Sequence, residues 1–285
     1  MYYLLSLLSG VLISVMLVFN GSLTAQYGVN SSTVIIHIVG LILIAIIILL
    51  KKDLKIKKLP FYFFLGGLVG VGPTAFTNIA FGRISVSAIL ALELLGQSIT
   101  GIIFDNFGLL GIKKRKFRKR SLLGIGLILI GIISMITDFD LMAVTVYFSS
   151  SILLVIAQIL NAKLSEETSV CTSTFFNYIV GLAAAIPICL LLGRNEPMFT
   201  NFSFSPEILI YLGGVLGVCI VLISNITILK ISVFYMTLFI FIGQIFSGII
   251  IDAILTQSFS MPNLIGGIFT SAGLILNLVL DKKLQ

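Results

Sequence analysis

The 285-residue chain is 58% hydrophobic and only 10% charged, with a mean hydropathy of +1.18. Polar surface that sparse cannot cover a soluble globule, so the composition excludes a soluble protein and implies a polytopic membrane protein. The net charge of +7 would suit nucleic acid in a soluble protein, but the positive residues fall in short runs between apolar spans, which is a topology signal.

Apolar spans of helical length fall at 2–25, 31–50, 59–81, 85–105, 121–137, 143–163, 172–193, 207–228, 233–255 and 263–281. The expected fold class is therefore all-α integral membrane with ten transmembrane helices. The first span has no Lys or Arg before its apolar run, and a similar segment recurs near residue 142, where no leader can be removed. It is read as a retained membrane helix. Span 3 is interrupted by Gly72-Pro73, and a proline there removes a backbone bond and predicts a helix break.

The connections set the orientation. All but two of the 18 Lys and Arg residues, the exceptions being Arg83 and Arg194, lie on one side if the spans alternate. The runs KKDLKIKK and KKRKFRKR supply most of them, so both termini are expected in the cytoplasm. Cys171, Cys189 and Cys219 sit in or beside apolar segments with no CxxC spacing, and are read as small core residues rather than metal or disulfide cysteines.

The chain is also an internal repeat. Leu65–Asp105 aligns without a gap on Leu212–Asp252, 147 residues on, with 16 of 41 positions identical. Upstream, Asn20 matches Asn161, and His37-Ile38-Val39-Gly40 matches Tyr178-Ile179-Val180-Gly181 at an offset of 141. In the last span of each half, Gly124 and Gly131 match Gly266 and Gly273. The expected units are 1–137 and 138–285. Five spans per unit is an odd number, so the second unit should enter the membrane with inverted topology, placing a site near the interface of the halves.

Two inverted five-helix halves, together with GQSITGIIFDNFGLLG at 96–111 closing span 4, resemble the drug/metabolite transporter superfamily, and in particular its YdcZ-like branch in tandem-fused form. The resemblance covers essentially the whole chain. It implies an EamA-like membrane fold and small-molecule transport, with export favoured over import. The second half keeps Gly243-Gln244 and Asp252 but lacks the FGLLG extension, and carries Ile240 where the first half has Glu93.

Glu93 is the one carboxylate deep in an apolar span, and a charge at that depth costs at least ~2.5–3.5 kcal/mol, so it marks a pathway or a protonated hydrogen-bonded carboxyl. The spacing i, i+4, i+7 puts Glu93, Gln97 and Thr100 on one helical face. Gln97 and Gln244 suit either a substrate site or glue between helices. His37 suits either a proton relay or, since Tyr178 is its repeat mate, an ordinary packed ring. Asn20, Asn161, Asn78 and Asn225 recur at matched depths and should face the bundle, lining the pathway or fastening helices, and Tyr178 belongs with them. Asp105 and Asp252 close matched spans and suit capping or gating rather than substrate binding.

A carboxyl that holds either a proton or a cation gives antiport by competition. The expected function is secondary active transport of a small polar or cationic metabolite or drug-like amine, as proton-coupled export by alternating access. The alternatives are proton-coupled uptake and a non-transporting membrane subunit or receptor. Small-molecule substrate, protons and the lipid bilayer are the expected partners, with no nucleic acid, and the chain acts as a monomer or homodimer in a bacterial cell membrane. No nucleophile and base arrangement, phosphate loop or ligand cluster stands out, so neither catalytic residues, metal nor cofactor are expected.

Overall fold

The computed structural model describes residues 1–80, 84, 86–115, 121–136, 140–255 and 260–282; the side chains of 74–80, 86–87, 252, 255 and 281–282 are outside that set. The side chain of Asn78, Arg83, the side chain of Asp252 and the second half of the KKRKFRKR run therefore lie outside the described residues.

The architecture is all helical: α1 (Tyr2–Tyr27), α2 (Val29–Lys51), α3 (Gly66–Ala80), α4 (Val86–Phe107), α5 (Leu122–Met135), α6 (Leu141–Glu167), α7 (Val170–Leu192), the short α8 (Pro197–Thr200), α9 (Leu212–Thr227), α10 (Val233–Leu255) and α11 (Met261–Lys282). Eight helical segments among the described residues are long and apolar enough to cross a membrane. Phe61–Pro73 and Leu122–Met135 are apolar but shorter. The chain is a multi-pass membrane protein.

Spans 3 and 8 share a construction that the hydropathy pattern does not display. Each opens with a 3₁₀ turn, Phe61–Leu65 before α3 and Ile208–Tyr211 before α9, at positions related by the same offset of 147 residues. Pro73 lies inside α3, and a second proline, Pro187, lies inside α7 where the apolar pattern alone does not call attention to it. Each proline leaves the carbonyl four residues earlier without its helical N–H partner.

Some helix ends are capped by local residues and others by distant ones. Asp140 accepts from Ala143 N at 2.8 Å to start α6, and Ser169 accepts from Thr172 N at 3.1 Å to start α7. At α2 the capping position is Gly28, whose φ of 92° favours glycine, and a Cβ there would strike the Glu196 side chain. Glu196, 166 residues away, supplies the cap instead: one carboxylate oxygen accepts from Asn30 N and Nδ2 at 2.8 Å each, the other from Ser31 N at 2.8 Å and Ser31 Oγ at 2.6 Å. The same loop is tied to α1 by Gln26, which donates to Ser203 Oγ at 2.9 Å, and by Tyr27 Oη, 2.5 Å from Tyr211 Oη.

The packing crosses the halves. α1 leaves its own half to pack against α9 and α10, and α6 leaves the second half to pack against α3 and α4. The lateral pairs are α2 with α7, α5 with α11 and α4 with α10. Exchanging every helix for its repeat partner reproduces these principal neighbours. Single residues repeat the pattern: a Cβ on Gly181 would strike His37, and one on Gly40 would strike Tyr178, the repeat mate of His37. Likewise Gly124 sits on Gly273, and Gly131 on Gly266. Each contact therefore recurs with the two partners swapped, as at an isologous interface.

Candidate substrate site

Glu93 lies seven residues after Val86, about 10 Å along α4 at 1.5 Å per residue and about 5 Å short of the middle of the helix, which runs on to Phe107. Two glycines show which way it faces. A Cβ on Gly96 would meet Phe148 O and the Ser151 side chain of α6, while one on Gly101 would meet Phe234 N of α10 at 2.9 Å. At about 100° per residue, Gly96 lies about 60° to one side of Glu93 and Gly101 about 80° to the other. Glu93 and Gln97 thus occupy the arc of α4 between α6 and α10, where the two crossed bundles meet.

Both side chains are partly accessible, and neither has a hydrogen-bond or ion-pair partner among the described residues. Thr100 shares the arc but is 4% exposed and donates its hydroxyl to Gly96 O at 2.6 Å, so its polarity is spent within its own helix. Gln244 is also partly accessible, and no hydrogen bond joins it to Gln97. Its backbone carbonyl accepts from Ser14 Oγ at 2.7 Å, which ties α1 to α10.

The remaining residues singled out from sequence form contacts between helices. His37 Nδ1 lies 2.8 Å from Thr33 O in its own helix, and its ring is 5.7 Å from that of Tyr178, tilted by 60°. Asn161 Nδ2 donates to Asn177 Oδ1 at 2.7 Å, and its side chain rests on the bare backbone of Gly66; Asn20 rests in the same way on Gly213. Asn225 is 1% exposed and donates to Thr174 Oγ1 at 3.3 Å. These polar groups join α6 to α3, α1 to α9 and α9 to α7, and the structure brings none of them onto the Glu93 arc by a hydrogen bond.

Asp105 caps a helix, but not in its own half. Its carboxylate accepts from Ser232 Oγ at 2.5 Å, Val233 N at 3.2 Å and Phe234 N at 3.1 Å, holding the start of α10. The FGLLG stretch explains how Arg115 comes back to it. Gly108 ends α4 at φ 68°, Leu110 and Gly111 follow at φ 52° and 75°, and the reversed chain donates Arg115 N to Asp105 O at 2.6 Å. The Arg115 guanidinium then sits 3.5 Å from the Asp105 carboxylate.

Tyr147 of α6 escaped the sequence reading. It is wholly buried, its hydroxyl has no partner among the described residues, and it lies within electrostatic reach of Glu93. The available signal was a phenol at the repeat position where the first half has Ser6.

The family comparison matches the chain twice, over residues 1–134 and 142–276, to the family described as "Putative inner membrane exporter, YdcZ". One solved crystal structure superposes with a TM-score of 0.74 at 14% identity, covering 100% of this chain and 98% of its own, a likeness of fold alone. No curated protein matches. The two consecutive matches span nearly the entire sequence, and the chain belongs to the YdcZ family of the drug/metabolite transporter superfamily as a tandem of two family units.

Proposed function

We infer that this membrane transporter is a proton-coupled exporter of a small cationic metabolite or drug-like amine. The observation that carries the reading is Glu93: a partly accessible carboxyl with no partner among the described residues, on the arc of α4 between α6 and α10. A group left unpaired within a membrane bundle is costly, and binding a proton or a cation in turn relieves that cost. Competition between the two for one carboxyl couples their movements.

The scaffold reading is ten crossings in two inverted units, 1–137 and 138–285, with both termini cytoplasmic in a bacterial membrane. The exchange-related contacts of α2 with α7 and α5 with α11 support it. So does the crossed packing, which suggests that the bodies that move in alternating access are α1, α9 and α10 against α3, α4 and α6 rather than the sequence halves. Gln97 accompanies Glu93 in the site, while His37 and the asparagines belong to the frame around it.

Reconstitution into proteoliposomes with an imposed proton gradient tests this. Glu93→Gln should abolish gradient-driven amine accumulation or extrusion while leaving the protein folded. Transport by Glu93→Gln at the wild-type rate and with unchanged pH dependence would refute the assignment.

A further inference from the structure

Among the departures from the repeat are two polar residues on helices that pack together. Glu93 has Ile240 as its partner, and Tyr147, at the offset of 141 residues that relates α1 to α6, has Ser6. The two belong to different sequence halves but to the same packed bundle, since α6 lies against α4. Along that contact Ser151 meets Gly96, and one turn earlier Tyr147 packs with Leu92 and Ala88, on the turn of α4 that carries Glu93. The phenol and the carboxyl lie within electrostatic reach of each other without a hydrogen bond between them.

The other bundle shows what this contact is when it serves packing alone. There Gly10 lies against the backbone of Ile240, and Ser6 donates its hydroxyl to Tyr2 O at 3.1 Å. Ser9 Oγ of α1 and Thr237 Oγ1 of α10 are buried there without a partner among the described residues, but the position that matches Glu93 is the apolar Ile240. At Tyr147 the hydroxyl is fully enclosed and unpartnered among the described residues, a position where phenylalanine would fill the same space without an unmet hydrogen bond. Two departures from the repeat, both polar, both unpartnered and on helices that pack together, call for one explanation.

Resting on the reading of Glu93 as the cation site, we propose that the Glu93 carboxylate and the Tyr147 hydroxyl form a two-point subsite for a protonated primary or secondary amine, which donates one N–H to each. The carboxylate accepts only, and the phenol oxygen has lone pairs to accept with, so a ligand carrying two N–H donors satisfies both at once. A quaternary ammonium ion can meet the carboxylate charge but has no N–H for the phenol. Tyr147 is then the residue that sets selectivity among cations.

The test compares n-butylammonium with tetramethylammonium, which have equal carbon number, by ligand-dependent thermal stabilisation of the purified full-length protein. Tyr147→Phe should raise the apparent Kd for n-butylammonium about tenfold, the size of one hydrogen bond to a charged group, and leave tetramethylammonium unchanged. The melting temperature of ligand-free Tyr147→Phe should equal or exceed that of the wild type. Equal weakening of both ions, no weakening of either, or a lowered ligand-free melting temperature, which would mark a hydroxyl already bonded within the fold, overturns the subsite. So does a wild type that n-butylammonium fails to stabilise. Glu93→Gln separates the two readings: if it abolishes binding of both ions while Tyr147→Phe changes neither, Glu93 stands as the cation site and the Tyr147 subsite falls.

Discussion

Glu196→Gln probes whether the loop after α7 holds the start of α2. The carboxylate accepts four hydrogen bonds, two from Asn30 and two from Ser31. Glutamine keeps one oxygen, enough for Asn30, but turns an NH₂ toward Ser31. The Ser31 hydroxyl can rotate to accept from it; the Ser31 backbone N–H cannot. One charge-assisted backbone bond is lost, worth about 1.5–3 kcal/mol, together with about 0.3–1 kcal/mol of attraction between the carboxylate and the α2 N-terminus. Water reaching this partly exposed site offsets some of it, leaving a cost of about 2 kcal/mol, or roughly 5 °C in melting temperature. The effect also carries a pH signature. Burial alone would push the Glu196 carboxyl up, yet the bonds from Ser31 and Asn30 outweigh it and hold the group below the ordinary carboxylate value. A carboxyl with a depressed folded-state pKa stabilises fully above its unfolded value of about 4.3 and loses that contribution as pH falls through the folded value. The gap between wild type and Glu196→Gln should therefore be constant from about pH 7 to 5.5 and close below about pH 4. Thermal melts followed by circular dichroism can report it at every pH, because the described elements are all helical. No gap at neutral pH, or the same gap at pH 4, would refute the cap.

Three further outcomes follow from the packing. Gly10→Ala should destabilise by about 1–3 kcal/mol, because its Cβ would meet Ile240 O and Gln244 N backbone atoms and force α1 away from α10, whereas Gly21→Ala, with open space around it, should be neutral or stabilising by about 0.5–1 kcal/mol; equal melting temperatures for the two would count against the close approach. Asp105→Asn should cost about 1–2 kcal/mol by weakening the cap on α10 and the Arg115 pair, and in a double-mutant cycle with Ser232→Ala the two losses should be less than additive; full additivity would deny the contact. Glu93→Cys or Gln97→Cys, in a chain whose Cys219 is replaced by alanine, should react with small water-soluble thiol reagents, while Thr100→Cys should resist them; protection at all three positions would point to a solid bundle.

Much of this protein is written in periodicity and composition. Apolar runs of helical length and the placement of Lys and Arg mark its spans, since a bilayer leaves the backbone few other ways to satisfy its hydrogen bonds. The self-alignment of Leu65–Asp105 on Leu212–Asp252 marks the duplication, and the lone deep carboxylate at 93 stands out because burying charge is costly. What the linear chain cannot express is partnership across long separations. Glu196 caps a helix 166 residues away, and Asp105 caps α10 rather than anything in its own half, because a carboxylate acts on whatever N-terminus the fold brings to it. Thr100 shares a face with Glu93, yet its hydroxyl is consumed by Gly96 O. Above all, the exchange of α1 and α6 between the halves is decided by glycine faces that admit a neighbouring backbone. That exchange packs Tyr147 against Leu92, the neighbour of Glu93 on α4, a juxtaposition that sequence distance conceals and that tertiary packing alone creates.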